Sequence, residues 1–338
     1  MRLTDINPVS PVEGRWTGNL LVRTNPIRPV DVGLPFDGNV LVRRIENDWG
    51  EVSDERTEIR TRVVLDGRNF LEARVTSVGL RYDAYMNGVR VARSEKKGVS
   101  LNRDNTTIHL SAYIDRSRLL RWWHTHVNKG ERTRLVIKPH VTVDLPSLDL
   151  SAFDFADIGL PSTRPPFSSL SVETPNYVTE FETGILDSIR REEKMTVTAF
   201  GRTVFAVHGV DARWGTADED ETTIELRVKM ENPNPFAVGF EDVGYTVTMN
   251  GVRVGRGHVG DFRMSARGTS VVSSEAVLRN ERVAEWWKTH LRRGERTETE
   301  IGFGGAVRVL GFGRKIGDRS YTGSFETDLF GGGLLDES

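Results

Sequence analysis

The stretch TTIELRVKMENPNPF, residues 222–236, decides the fold class of this chain. Apolar and charged side chains alternate from Ile224 to Met230. A period of two with one apolar face is typical of a half-buried antiparallel β-strand. Asn-Pro-Asn-Pro follows at 232–235, and because proline has no amide proton, the hydrogen-bonded ladder has to end there. The stretch therefore predicts a strand that stops at a defined point.

A second strand signal follows in YTVTMNGVRVG, where two alternating runs flank Asn250 and Gly251. Asn-Gly between such runs favours a type I′ hairpin turn, since both central residues need a positive φ. The same pattern occurs earlier in YDAYMNGVRV, around Asn87 and Gly88. Further strands are expected at 106–112, 134–144, 269–277 and 298–309.

Three motifs occur twice, in the same order. Trp49 and Trp214 of the two Trp-Gly pairs lie 165 residues apart, Asn87 and Asn250 lie 163 apart, and Trp122 and Trp286 lie 164 apart. The last pair begins the closely related stretches WWHTHVNKGERT and WWKTHLRRGERT. Ordered motifs at nearly constant separation indicate a duplicated domain.

The repeat suggests a division of the chain. We predict copy one over residues 35–187, including a linker at 146–175, and copy two over residues 195–331. Residues 1–34 are rich in proline and are expected to form an irregular leader, and residues 332–338 form a tail.

One segment of each copy has helical rather than strand periodicity. In NERVAEWWKTHLRRGER, Val283, Trp287, His290 and Leu291 fall on one helical face. Copy one has Leu119, Trp123, His126 and Val127 at the matching places. Asn280 and Asp115 are candidate N-caps, and Gly294 and Gly130 are expected to end the helices. Each copy is thus predicted to be an all-β antiparallel sandwich with one short helix.

The composition excludes several classes of function. Over 338 residues, 46 basic and 48 acidic side chains nearly cancel, so no overall field favours nucleic acid or an acidic substrate. The absence of cysteine excludes disulfides, thiolate catalysis and Cys-ligated metals. No apolar run approaches the roughly 18 residues of a membrane span. We expect a soluble, cytoplasmic protein, with export or membrane anchoring as the alternative.

The paired tryptophans could form either a core or an aromatic platform for a ligand. Adjacent residues of a helix point about 100° apart, so one tryptophan of each pair should face inward. We expect Trp123 and Trp287 to be core anchors and Trp122 and Trp286 to be candidates for half-exposed positions.

The remaining polar residues offer no catalytic or metal-binding pattern. His124 and His126 cannot chelate one ion, because residues two apart on a helix point in nearly opposite directions. His126 and His290 are expected to be hydrogen-bonded and half-buried. The sequence contains no nucleophile elbow, P-loop or calcium loop. No catalytic residue, cofactor or metal is predicted.

Together these motifs resemble a known family. Asn232, Pro233, Asn234 and Pro235 after a strand, followed by YTVTMNGVRVGRG, are similar to the signature of type-2 late embryogenesis abundant proteins. The unit of that family is the water stress and hypersensitive response (WHy) domain. The later EWWKTHLRRGER and FETD resemble archaeal members, which often carry tandem copies. Copy one has Gly67 to Phe70 in place of the Asn-Pro pairs. Archaeal relatives commonly begin with a hydrophobic anchor, but Arg, Asn and Pro interrupt the apolar residues of GRWTGNLLVRTNPIRPVDVGL, so we expect no membrane attachment there.

The resemblance implies two tandem Ig-like or fibronectin-like β-sandwiches without catalysis or cofactor. It also implies a role in tolerance of desiccation, osmotic or temperature stress, through weak contacts with non-specific client proteins. A structural or cell-surface adhesion module is the alternative, because fold does not fix function.

The signature at 232–235 has two interpretations. Each proline pushes the preceding asparagine out of the helical region, so the motif could act only as a strand terminus. The sharper alternative is that it contacts a client or partner, together with the turns at Asn87-Gly88 and Asn250-Gly251.

Overall fold

A computed structural model describes residues 30–33, 39–66, 77–102, 105–144, 169–173, 176–192, 194–199 and 201–329. The tail at 332–338, residues 67–70 and most of the predicted leader and linker lie outside these described residues.

Copy one contains two antiparallel sheets. The first has the strand order β1-β2-β3-β6, and in the second β5, β4 and β7 are neighbours, with β8 and β9 both paired to β7. The strands are β1 (Val30–Gly33), β2 (Asn39–Val52), β3 (Arg56–Asp66), β4 (Ser77–Met86), β5 (Val89–Ser100), β6 (Asn105–Asp115), β7 (Arg132–Asp144), β8 (Ser169–Glu173) and β9 (Tyr177–Glu182).

Copy two has the matching strands in one eight-stranded sheet, in the order β10-β11-β12-β15-β14-β13-β16-β17. A short antiparallel pairing of β14 with β15 joins the two halves of this sheet. The strands are β10 (Met195–Ala199), β11 (Arg202–Ala217), β12 (Glu221–Glu231), β13 (Val238–Met249), β14 (Val252–Met264), β15 (Thr269–Arg279), β16 (Arg296–Val309) and β17 (Phe312–Glu326).

Three helices complete the described chain: α1 (Arg116–Asn128), α2 (Ile185–Ile189) and α3 (Asn280–Arg292). Helices α1 and α3 are the two predicted from the repeat. Gly130 and Gly294, with φ of +66° and +70°, follow their last turns in the left-handed region that lets a helix end. Asp115 occupies the N-cap position of α1 but makes no side-chain capping bond.

The local β-signals are confirmed. Ile224, Leu226 and Met230 are buried on one face of β12, whereas Glu225 and Arg227 are exposed. The β4–β5 and β13–β14 hairpins turn at Asn87-Gly88 and Asn250-Gly251, and all four residues have positive φ, as a type I′ turn requires. An all-β antiparallel fold with sandwich-like sheet packing is therefore correct.

Two expectations about irregular segments need correction. Val30–Gly33, inside the predicted leader, is a strand that pairs with β2, and Ser169–Glu173, inside the predicted linker, pairs with β7. Both segments are short, four and five residues, and neighbouring strands supply their hydrogen-bond partners. Helix α2 crosses residue 187, the predicted end of copy one. The domain limits remain a prediction.

Candidate functional site

The helices α1 and α3 pack against each other and bring four tryptophan rings together. Trp122 lies 5.4 Å from Trp287 and Trp123 lies 5.8 Å from Trp286, measured between ring centroids, and both pairs are edge-to-face. Such geometry is favoured by the charge distribution of aromatic rings. The tryptophan cluster therefore lies between the two copies.

The structure buries all four rings, which differs from the expected half-exposure of Trp122 and Trp286. Their exposed fractions are 2% each, against 1% for Trp123 and 4% for Trp287. Trp122 packs against His126 and Phe181 of its own copy as well as against Trp287. Trp123 packs against Trp214 and Trp286 of the other copy. Each helix thus has two covered faces, so adjacent residues can both be core.

In copy one, a chain of hydrogen bonds connects two side chains of α1 with the residues that follow the helix. The indole of Trp122 donates to Thr133 Oγ1 (2.8 Å), which also contacts His126 Nδ1 (2.8 Å). His126 Nε2 contacts Thr183 Oγ1 (2.9 Å), and that hydroxyl donates to Glu131 Oε2 (2.8 Å). His126 has no exposed surface and both of its ring nitrogens have partners.

Copy two repeats this chain. Trp286 donates to Thr297 Oγ1, which contacts His290 Nδ1, with both distances 2.8 Å. His290 Nε2 lies 2.8 Å from Thr327 Oγ1, which donates to Glu295 Oε2 at 2.8 Å. The repeated GERT and FET segments supply these groups in each copy.

The donors and acceptors of copy one fix the protonation of its histidine. Thr183 uses its proton on a carboxylate, so the proton between Thr183 and His126 has to come from His126 Nε2. Thr133 accepts from Trp122 and is therefore free to donate to Nδ1. Burial lowers the pKa of His126 and of His290 to about 4, so both rings are neutral at pH 7.

The two copies exchange one tryptophan donor in each direction. Trp49 of copy one donates to Glu295 Oε1 of copy two (2.8 Å), and Trp214 of copy two donates to Glu131 Oε1 of copy one (3.1 Å). Trp49 also packs edge-to-face on Trp287, with 6.0 Å between ring centroids. The Trp-Gly motif of each copy thus completes the polar chain of the other.

Glu131 and Glu295 are the residues that our sequence reasoning missed. Both are at least 92% buried and have positive φ, +66° and +61°, directly after the glycine that ends the helix. Glu131 also accepts from the backbone N–H groups of Ile185 and Leu186 at the start of α2. Burial raises the pKa of Glu295. The signal that could have identified both is the retention of GERT in each copy.

One part of the interface is asymmetric. Trp123 donates to Thr222 Oγ1 (3.1 Å), which donates to Asn280 Oδ1 (2.8 Å). Asn280 therefore bonds to a residue of its own copy. It is the first residue of α3 and not the N-cap expected of it, since Arg279 occupies that position. The indole N–H of Trp287 is buried and finds no acceptor among the described residues. Copy one has Arg116 at the place of Asn280.

This polar chain is suited to holding surfaces together. Its hydroxyls, imidazoles and carboxylates bond to each other or to backbone, and the histidines are enclosed. Within the described ranges, no cluster of three or more His, Asp or Glu side chains could hold a metal ion. No helix in those ranges is both long and apolar enough to cross a membrane.

Hydrogen bonds connect the Asn-Pro-Asn-Pro loop to neighbouring segments of copy two. Asn232 is fully buried, and its amide donates to the carbonyls of Phe236 (2.8 Å) and Ser265 (2.9 Å). Its Oδ1 accepts from the backbone N–H of Asn234 (3.0 Å), which closes an Asx turn.

Asn234 extends the same arrangement to a third segment. Its amide donates to the carbonyls of Thr203 (3.1 Å) and Val204 (2.9 Å). Pro233 and Pro235, in contrast, are exposed. The asparagines thus hold the loop in place, and the prolines form its outer surface.

Asn87 and Asn250 have a similar double use. Besides turning the hairpin, Asn250 donates to the carbonyl of Arg296 and accepts from the N–H of Glu298, both at 2.9 Å. Asn87 makes the equivalent bonds to Arg132 and Arg134. A role of these turns in binding a client stays a prediction.

Copy two also contains a partly open cavity of about 130 Å³. Its lining is mainly apolar and includes Phe205, Phe240, Phe262 and Phe303. It brings together no acid–base pair of the kind that catalysis requires.

Comparison with known proteins adds one sequence match. Residues 227–319 match the family model described as late embryogenesis abundant protein. This segment runs from β12 to β17 and contains the Asn-Pro-Asn-Pro loop, the β13–β14 hairpin and α3. No curated protein sequence matches the chain.

Several solved structures are similar to parts of the chain. A crystal structure of an Archaeoglobus fulgidus protein has a TM-score of 0.33 and 23% identity, covering 36% of this chain and 97% of that one. The solution structure of an Arabidopsis thaliana protein gives 0.29 and 10%, covering 50% and 91%. A β-glucuronidase of Bacteroides uniformis gives 0.23 and 10%, covering 79% and 26%.

Proposed function

We propose that this protein is a non-enzymatic stress-protective protein of the type-2 late embryogenesis abundant family, built from tandem WHy domains. The observation that carries the proposal is the family match over residues 227–319, which includes the Asn-Pro-Asn-Pro loop. The internal repeat extends the proposed membership to copy one. Protection against desiccation, osmotic or temperature stress is the role we assign to it.

The use of the repeated polar residues supports a role without catalysis. The histidine, threonine and glutamate side chains that recur in both copies bond within the protein, and burial keeps the histidines neutral. A catalytic acid or base has to reach a substrate, whereas these groups are enclosed.

The outer surface supports weak, non-specific contact with other proteins. Outward positions of β12 are charged, as at Glu225, Arg227 and Lys229, and each is exposed. Alternating charges hold water and keep a folded domain dispersed. We infer that such domains keep client proteins apart as water is lost, and that the chain acts in the cytoplasm.

A protection assay tests this function. A labile dehydrogenase is dried or heated with the full-length protein, or with an inert folded protein of equal mass, and the remaining activity is measured. We expect more activity to survive with this protein at equal mass concentration. Equal losses in the two mixtures would overturn the proposal.

A variant of the signature tests whether that loop contacts clients. Pro233→Ala with Pro235→Ala removes the exposed surface of the loop but leaves the two buried asparagines in place. Reduced protection at unchanged melting temperature would indicate contact. Full protection with altered stability would indicate that the prolines act on backbone geometry alone.

A further inference from the structure

The β16–β17 hairpin turns at a residue pair that differs from the other two type I′ turns. Leu310 and Gly311 have φ of +51° and +88°, where the other turns have Asn-Gly. A leucine in the left-handed region is unfavourable, since its side chain crowds the backbone and offers no local hydrogen bond. Backbone strain of this kind is found preferentially where a side chain serves a function.

The same turn exposes two large apolar side chains. Leu310 is 70% exposed and Phe312 is 73% exposed, the two highest values among the large exposed hydrophobic side chains of the described chain. Between this turn and the Asn-Pro-Asn-Pro loop lies a groove of about 270 Å³, whose lining includes Asn234, Phe236 and Val309. The turn therefore projects an apolar surface from one end of copy two.

Four segments meet at this end, and we call them the basic end: residues 201–204, 232–239, 262–268 and 305–315. The pairing of Val238 with both Met264 and Val309 brings three of them together, and the bonds from Asn234 to Thr203 and Val204 bring the fourth. They contain no aspartate or glutamate. Their basic side chains are all exposed and are Arg202, Arg263, Arg267, Arg308, Arg314 and Lys315.

The concentration of charge contrasts with the whole chain, whose net charge is −2. Arg308 forms an ion pair with Glu241 (2.7 Å), which lies just beyond the basic end. A protruding apolar turn among basic side chains matches the interface of an anionic bilayer, where apolar groups enter the acyl boundary and cations meet phosphate groups.

We propose that the basic end of copy two binds the surface of membranes that contain anionic phospholipid. Leu310 and Phe312 enter the headgroup region, and the arginine and lysine side chains contact lipid phosphates. The proposal goes beyond client protection and stands independently of it, because the two are measured with different partners.

Vesicle co-sedimentation of the full chain tests the proposal. The probes are vesicles of phosphatidylcholine with 30% phosphatidylglycerol and vesicles of phosphatidylcholine alone. We expect binding to the anionic vesicles that weakens as salt rises, because salt screens exposed charges. Binding to phosphatidylcholine alone should be at least tenfold weaker.

The decisive variant is Leu310→Asn combined with Phe312→Thr. It gives this turn the Asn-Gly pair of the other two hairpins, so the hairpin should fold at least as well, and it keeps every basic side chain. We expect its partitioning onto anionic vesicles to fall at least tenfold. Val178→Ser is the matched control, because it removes an exposed apolar side chain (44%) from copy one, and its binding should be unchanged.

A second variant tests the charge. Arg202→Glu with Lys315→Glu should remove the preference for phosphatidylglycerol, with an unchanged circular dichroism spectrum. Equal binding by wild type and the Leu310→Asn, Phe312→Thr variant would overturn the proposal. The proposal would also be overturned if the wild-type chain did not bind vesicles but dimerised through this turn in size-exclusion chromatography, since the surface would then join two copies of the chain.

Discussion

In copy one, β5 pairs with β4 and β6 pairs with β3, in separate sheets, whereas in copy two the matching strands β14 and β15 pair with each other. Gly255 and Gly257 of β14 lie in that pairing. Copy one has Ala92 and Ser94 at these positions. The β14–β15 pairing of copy two therefore contains two residues without a Cβ.

The geometry explains the difference. A Cβ placed on Gly257 would lie 2.6 Å from the carbonyl oxygen of Glu275 and 2.2 Å from the ring of Tyr245. A Cβ on Gly255 would lie 2.9 Å from the carbonyl oxygen of Val277. In copy one, Ser94 instead donates from its side chain to the carbonyl of Ser111 (2.7 Å). One edge of a sandwich can thus be open or closed while the rest of its framework is kept.

The interface between the copies does not show such a difference, because there the residues of the two copies match closely. His126 and His290 have threonine partners at equivalent positions, and Glu131 and Glu295 each accept from the other copy's tryptophan. Four predictions test where the copies are equivalent and where they differ.

Removing Trp122 or Trp286 should have the largest effect on stability. Trp122→Ala and Trp286→Ala each remove a buried ring together with the indole donor to Thr133 or Thr297. We expect each to lower the free energy of unfolding by about 3–5 kcal/mol, as large core truncations do. Urea denaturation measures it. A loss under about 1 kcal/mol in one variant alone would show that the two halves are not equivalent.

Acid should destabilise the fold through both histidines. Because their pKa is about 4 in the folded chain and near 6.5 when unfolded, the unfolded chain binds more protons between these values. Stability is fully present above pH 6.5 and falls as the pH falls towards 4, by roughly 3 kcal/mol for each histidine. Glu295 opposes this trend, since its raised pKa favours protonation in the folded chain.

Urea midpoints from pH 7.5 to 4.5 check the acid effect. His126→Gln and His290→Gln should each reduce the dependence of stability on pH by about one proton. His258→Gln is the control, because the side chain of His258 is 59% exposed. An unchanged pH dependence in both buried-site variants would contradict the prediction.

Giving copy two the side chain of copy one should test the joined sheet. Gly257→Ser introduces a clash with Glu275 and Tyr245, and we expect a loss of about 1–3 kcal/mol, typical of overpacking. Thermal melting measures the loss. The reverse change, Ser94→Gly, creates no clash and should cost less; equal losses would mean that the close approach of β14 and β15 is unimportant.

The smallest expected effect concerns the asymmetric indoles. Trp123→Phe removes a donor to Thr222, whereas Trp287→Phe removes an N–H without an acceptor in the described residues. Both changes remove similar apolar area, so Trp123→Phe should be more destabilising by about 1 kcal/mol. Denaturant titration of the two variants side by side gives the difference. Equal losses in the free energy of unfolding would contradict the prediction.

The sequence predicted what depends on local pattern. The strand at Ile224 to Met230, the Asn-Gly hairpins and both long helices follow from periodicity and turn chemistry. The burial of Trp122 did not follow, because the pattern of one helix cannot reveal a second element that covers another of its faces.

The site was harder to predict than the fold. Glu131 and Glu295 resemble solvated charges in the sequence. Distant segments of both copies enclose them in the fold. Asn280 was expected to be the N-cap of α3, but it is the first residue of that helix. Its side chain bonds instead to Thr222 and to the carbonyl of Asp218. Contacts between segments more than 50 residues apart have no local signature.

The exchange of tryptophan donors between the copies has the form of an isologous contact, in which the same patch on each partner meets its own counterpart. In a homodimer such a contact weakens on dilution, because assembly depends on the concentration of subunits. Here both patches belong to one chain, so each meets the other at a fixed effective concentration. The assembled interface is consequently indifferent to how much of the protein a cell contains.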